Sequence, residues 1–252
     1  MKMIAESIEC IDKKWESDLF RKNVFQLKFK QNCHLKKYTE DLKEIEDTLT
    51  RHGPCLLMSR IPCLETHARR ALEATGFHLM ECYIEMEHDL VNIDVQSGGN
   101  RIRSVRHEEI DALQGIALSA LHFSRFHMDW NIDREMANLS RSEWIKNACL
   151  GRGEFVLVAE REGIPVGFVS CIKREREKET VGHLDLIAVD SKHRKLGIGY
   201  DLVISFLSKC QMMGIAKSIV GTQAHNIPSL RLYEKCHYFI VDSSYSYHKH
   251  IH

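Results

Sequence analysis

Apolar and polar positions along this chain alternate with two periods, and the period switches repeatedly. The segment NVFQLKF (Asn23–Phe29) alternates residue by residue, which predicts a half-buried strand, while Tyr38, Leu42, Ile45 and Leu49 recur at helical spacing. CLLMSRI from Cys55, a helix ending near Ala74 and the alternating HLMECYIEMEH from His78 continue the series. The beginning of the chain therefore reads strand, helix, strand, helix, strand.

The pattern lapses in VNIDVQSGGNR (Val91–Arg101), where Ser97, Gly98 and Gly99 interrupt the periodic segments on either side. A boundary there predicts a small α/β N-terminal domain, residues 1–95, and a second domain, residues 96–252. In the second, RIRSV reads as a short strand and residues 107–121 as a helix. Residues 134–149 read as another helix, with Met136, Leu139, Ile145 and Cys149 facing inward. EFVLVAE, IPVGFVSCIKRE and TVGHLDLIAV are joined by the turn signals REG and KREREKE, which suits antiparallel hairpins. A helix from Tyr200 to Met213, the strand SIVGTQA, the helix SLRLYEKC and the strand YFIVDSSYSYHK complete the series. LEATGF (Leu72–Phe77) and YEKCHY (Tyr233–Tyr238) both close a helix and lead into an alternating strand, at a constant offset of 161 residues. A duplicated helix-and-strand unit would leave that echo.

Composition narrows the functions available. The 252 residues carry 35 Lys+Arg and 35 Asp+Glu, so no global field draws the chain to nucleic acid or to an anionic membrane, and any phosphate must be held locally. Nine scattered cysteines without a C-x-x-C pair argue against a zinc module or a disulfide framework. The first residues lack an apolar signal core, and no run approaches the roughly 18 apolar residues of a membrane span. A soluble, cytoplasmic protein is expected. His248, His250 and His252 alternate along the last strand. With no carboxylate or cysteine beside them, a frayed terminal strand is expected rather than a metal clip, and no metal site is predicted.

Chemistry concentrates in HRKLGIGYDL (His193–Leu202), which follows the strand LDLIAV. Gly197 and Gly199 allow positive φ and close approach of a ligand to the main chain, and a helix beginning near Gly199 offers unpaired N–H groups and a positive dipole end. Lys192, His193, Arg194 and Lys195 add cationic side chains, so the turn reads as a nest for a diphosphate. A dinucleotide fold would want a third glycine and a P-loop G-K-[ST]; neither is present.

The motif R-x-x-G-x-G, met by Arg194, Gly197 and Gly199 between a strand and a helix, resembles the acetyl-CoA loop of the GNAT superfamily of N-acetyltransferases. The resemblance implies a GNAT fold, a central mixed, mostly antiparallel sheet flanked by helices. It implies that the backbone of Leu186, Ile187, Ala188 and Val189 pairs with the pantetheine arm. Arg194, Lys195, Leu196, Gly197, Ile198 and Gly199 would hold the pyrophosphate. TQAHNIPSLRLYEKCHYF resembles the second signature of that superfamily, implying that Asn226 and Ser229 cap a helix and contact the pantetheine, and that Tyr233 assists the leaving thiolate. Members carry glycine where His237 stands, a costlier residue in a left-handed cap. His183 and Asp185 share a strand face and are candidate bases, or substrate-binding or structural groups, if deprotonation does not run through ordered water.

The helix connection LHFSRFHMDW supplies Ser124, Arg125, Phe126, His127 and Trp130 as candidate acceptor-binding residues, Phe126 alternatively plugging a helix turn. WESDLF (Trp15–Phe20), SRF…W, EWIKNA (Glu143–Ala148) and TQAHN…LYEK, in that order, are similar to TDP-fucosamine acetyltransferase-like enzymes. That likeness implies acetylation of the 4-amino group of a nucleotide-linked amino-deoxy sugar, with Arg125 a candidate for its diphosphate. An acetyltransferase for another amine and a non-catalytic acyl-CoA-binding module are the alternatives. Edge strands leave room for a homodimer.

Overall fold

The computed structural model describes residues 2–30, 33–90, 99–176 and 178–252, with residues 2–4 described by backbone alone. The chain runs β1 (Lys2–Ile4), β2 (Ile8–Asp12), α1 (Lys14–Phe20), β3 (Asn23–Phe29), α2 (Leu35–Thr50), β4 (Cys55–Pro62), α3 (Thr66–Ala74) and β5 (His78–Asp89). It continues through β6 (Arg101–Ser104), α4 (Ile110–Ala120), α5 (Arg125–Met128), α6 (Arg134–Asn147), β7 (Phe155–Arg161), β8 (Ile164–Arg176) and β9 (Glu179–Val189). It closes with α7 (Ile198–Met212), β10 (Lys217–Gln223), α8 (Ile227–Lys235) and β11 (Phe239–Ile251). Among the described residues no helix is long and apolar enough to cross a membrane.

Two compact units emerge. The first comprises Met1–Tyr83, Ser124–Met136 and Ser243–His252; the second comprises Ile84–Phe123 and Ala137–Asp242. In the first, β1, β2 and β3 pair antiparallel, β3 and β4 pair parallel, and β4 pairs antiparallel with the end of β11, from Ser244↔Pro62 to Ile251↔Cys55. Parallel neighbours need a crossover, and α2 supplies it. Its buried stripe of Tyr38, Leu42, Ile45 and Leu49 seals one sheet face together with Ala68 and Leu72 of α3.

In the second unit, β6, β7, β8 and β9 form an antiparallel run, and β9 and β10 pair parallel. The sheet is therefore mixed and mostly antiparallel, as the hairpin signals predict. Leu202, Val203, Phe206 and Leu207 of α7 cluster with Val169, Leu184 and Val220. Leu113 and Ala117 of α4 and Ile145 of α6 cluster with Val158, Phe168, Leu186 and Ala188. The appearance of Leu184 in one cluster and Leu186 in the other reflects a bulge. Ser170 pairs with Leu186 and Cys171 with Leu184, so Asp185 is the extra residue and the alternation breaks there.

Two sequence expectations are corrected. On α6 Ile145 is buried as expected, but the other buried residues are Ala137, Ser140 and Ser142, while Leu139 is exposed; small side chains mark this face, and an apolar period does not register them. The terminal strand is fully paired rather than frayed, and His248 on it is buried.

The expected boundary falls largely on residues 91–98, outside the described residues. Within the first unit, the end of β11 pairs with β4, and Asp129 accepts hydrogen bonds from His248 and His250. The echo at offset 161 is structural as well. Thr66, Ala74 and His78, the bounds of α3 and the start of β5, map onto Ile227, Lys235 and Phe239, the same positions of α8 and β11. The preceding β3–α2–β4 and β9–α7–β10 have the same order and the same parallel pairing. Internal duplication leaves this pattern.

Candidate active site

The second unit contains the glycine-bearing turn. β9 ends at Val189, Asp190 Oδ1 accepts from Lys192 N at 3.0 Å, and the chain then passes through Lys195 at φ 63° and Gly197 at φ 76° before α7 begins at Ile198. Gly199, expected to share the left-handed role, instead lies inside the helix. What it supplies is room, for a Cβ there would sit 3.3 Å from Leu232 Cδ2. Asn100 fastens the turn by donating through Nδ2 to Leu196 O (3.1 Å) and to the buried carboxylate of Asp201 (2.6 Å). The first-turn N–H groups of a 15-residue helix and its dipole thus meet the cations of Arg194 and Lys195 and the ring of His193, an arrangement suited to an anion.

A cleft of about 570 Å³ opens here. Of the residues assigned to the coenzyme from sequence, Ile187, Ala188, Val189, Arg194, Lys195, Gly197, Ile198, Gly199, Asn226 and Ser229 line it. Leu186 turns into the core under α4, and Leu196 is exposed to solvent. The parallel β9–β10 ladder spans Gly182–Leu184 against Ser218–Val220, so the edge of Ile187–Val189 that looks toward β10 lies beyond it. Phe123, Tyr200, Leu232 and Lys235 also line the cleft, with Lys235 Nζ 5.0 Å from the Tyr200 ring centroid. No spacing rule singles out these four, nor Asn100.

Tyr233 is 3 % exposed and belongs to the core cluster, its ring 5.8 Å from that of Tyr238, while its neighbour Leu232 faces the cleft. His183 is buried on β9. Asp185 Oδ2 accepts from Trp144 Nε1 at 2.7 Å and from Arg152 Nη2, two donors that fix the carboxylate in place. His237 adopts φ 63° at the end of α8, the left-handed cap that the sequence predicts.

The acceptor candidates lie in the first unit. Ser124 precedes α5 with Oγ 2.6 Å from His127 Nδ1; Phe126 is buried, its ring 4.9 Å from Phe20 and 5.8 Å from His248. The Arg125 guanidinium lies 4.7 Å from the Phe126 ring centroid, and Trp130 is exposed with its ring edge-on to His78 at 4.9 Å. Between these positions sits Asp129, whose Oδ2 accepts from His248 Nδ1 at 2.7 Å and from His250 Nε2 at 2.9 Å. Lys22 Nζ lies 3.1 Å from His250 Nδ1. Burial raises the Asp129 pKa, but the hydrogen bonds from His248 and His250 outweigh it and hold the carboxyl well below the usual carboxylate range. Burial lowers the pKa of His248 against the opposing pull of Asp129. The carboxylate missing beside the histidines in sequence is thus delivered by the fold. Among the described residues no group of His, Cys, Asp and Glu is arranged to hold a metal.

Comparison with known proteins bears on the fold. Residues 117–238 match the model of the acetyltransferase (GNAT) family. The spore coat polysaccharide biosynthesis protein SpsD of Bacillus subtilis is 28 % identical over 140 residues, 56 % of this chain and 47 % of that protein, so the match spans about half the relative's length. A GCN5-related N-acetyltransferase from Kribbella flavida superposes with a TM-score of 0.67 at 12 % identity, covering 99 % of this chain and 89 % of that one. One from Sphaerobacter thermophilus gives 0.63 at 13 % identity, covering 97 % and 76 %. The fold is that of the GNAT acetyltransferases.

Proposed function

We propose that this chain transfers the acetyl group of acetyl-CoA to the primary amine of a small molecule. The observation that carries the reading is the anion cradle at the N-terminus of α7, with Gly197 at φ 76°, opening into a cleft of about 570 Å³. Gly197, Gly199, Arg194 and Lys195 would take the pyrophosphate. The edge of Ile187–Val189 beyond the β9–β10 ladder would offer main-chain groups to the pantetheine amides, and Asn226 and Ser229, which line the same cleft, would contact that arm. The amine nitrogen attacks the thioester carbonyl, a C–N bond forms as the C–S bond breaks, and the coenzyme thiolate leaves. Tyr233 is the residue assigned to hydrogen-bond or protonate that sulfur. His183 is the candidate base, since the donors on Asp185 give that carboxylate a positioning role.

We further propose that the acceptor is the 4-amino group of a nucleotide-linked amino-deoxy sugar. The sequence likeness to TDP-fucosamine acetyltransferase-like enzymes supports it, as does the match to a polysaccharide biosynthesis protein.

The test is calorimetric titration with acetyl-CoA, followed by incubation with nucleotide-linked amino sugars and detection of free thiol. Tyr233→Phe is expected to lower turnover sharply while leaving coenzyme affinity nearly intact. Absence of coenzyme binding overturns the reading; binding without thiol release for any amine reduces the chain to an acyl-CoA-binding module.

A further inference from the structure

The sheet face of the first unit that turns away from α2 and α3 carries polar side chains. Tyr245, Tyr247 and Ile251 of β11 enter the core beneath the helices, so Ser246 and His248 point the other way. Arg60 of β4 donates through Nε to Ser246 Oγ at 3.1 Å and through Nη2 to Glu81 Oε1 at 2.9 Å; Ser246 Oγ donates to the same oxygen at 3.2 Å. The Glu81 side chain is 1 % exposed, yet its Oε2 has no hydrogen-bond partner among the described residues. His248 is as deeply buried. Its Nδ1 donates to Asp129, so Nε2 presents a lone pair, and that atom too has no partner among the described residues. Buried acceptors are almost always paired, and here two of them, one anionic, occur around a single cluster. The cluster reaches solvent at Arg60, whose guanidinium lies 3.8 Å from the centroid of the Tyr83 ring.

We propose that Glu81 and His248 form a binding site for a small molecule rich in N–H and O–H donors, the amino sugar acceptor, with Glu81 Oε2 and His248 Nε2 each accepting a hydrogen bond from it. The identity of the ligand as acceptor rests on the transferase reading; the donor-selective chemistry of the site does not. Two acceptors repel carbonyl and phosphate oxygens and admit hydroxyl or amine groups, and the carboxylate favours the amine.

The experiment is an NMR titration of the full chain, labelled at histidine, with glucosamine and separately with glucose, the His248 resonances being assigned with His248→Asn. Glucosamine is expected to move the His248 Nε2 resonance saturably and to bind more tightly than glucose. Glu81→Gln should weaken glucosamine by about ten- to hundredfold, as expected for loss of a charged hydrogen-bond partner. If neither sugar moves the resonance at millimolar concentration, ordered water alone serves these acceptors and the proposal falls. Equal affinity in Glu81→Gln also overturns it. Should that variant fail to fold, the wild-type titration decides alone. The readout needs no acetyl-CoA, so failure of the coenzyme to bind refutes the transferase reading without touching this site.

Discussion

Replacing Gly197 by alanine perturbs one dihedral and little else. The residue holds φ 76° and ψ −5° at the N-cap of α7, and the nearest atom to an added Cβ is Asn100 Nδ2 at 3.8 Å, an ordinary contact. No steric term enters, so the whole penalty is that of an L residue in the left-handed region, about 1–2 kcal/mol. If the turn keeps its shape, the folded state bears that cost, and melting falls by roughly 2–8 °C for a chain of this size. If the turn relaxes to negative φ, the first N–H groups of α7 swing away from the cleft. The same energy then appears as a rise of about five- to thirtyfold in the Kd for acetyl-CoA. Melting curves and calorimetry on one preparation divide the penalty between the two. Gly197→Asn, whose side chain tolerates the left-handed region, should recover most of both losses. The reasoning is refuted if alanine leaves both quantities unchanged. It is refuted equally if asparagine is worse than alanine, for then space and not the dihedral governs the site.

Three further outcomes follow from named contacts. Asp129→Asn removes the charged acceptor of the hydrogen bonds from His248 and His250, so it should cost about 1.5–3 kcal/mol for each bond weakened and lower the melting temperature by at least about 3 °C. Acidification should destabilise the chain in two stages. Burial depresses the pKa of His248 below its usual 6.5, so the unfolded state takes up the proton first and stability falls as the pH drops below about 6.5. Asp129, depressed below its usual 3.8, withdraws its contribution only under stronger acid. Melting curves between pH 7 and 5 measure the first stage, and His248→Asn should make it shallower. His237→Gly should raise stability by about 1 kcal/mol, because an exposed histidine at φ 63° gives up a strained backbone and little packing; denaturant unfolding checks it.

The hydrophobic periods place the strands and the longer helices from β3 to β11, because each element's buried face must repeat with its own geometry, but they miss β1, β2, α1 and α5, which are too short to show a period. They locate α2 through Tyr38, Leu42, Ile45 and Leu49, and the hairpins through their turns. The glycine-bearing turn before α7 is equally legible. An anion nest is built from consecutive residues, so R-x-x-G-x-G carries it in a single stretch. Reading by period misplaces the face of α6, where small residues rather than large ones mark the buried side. It also misses the bulge at Asp185, which depends on how β8 pairs with β9 and not on β9 itself.

What the sequence alone determined is what neighbours along the chain can build: the periods of the elements, the glycine-bearing turn, and the echo between Leu72 and Tyr233. Only the tertiary structure decided what distant residues build. It carried the end of β11 to β4, set Asp129 against His248 and His250, and buried Glu81 beside Ser246. The physical reason is that a hydrogen bond to a buried charge is governed by distance in space. Sequence patterning constrains which face a residue occupies, but not which remote partner meets it there.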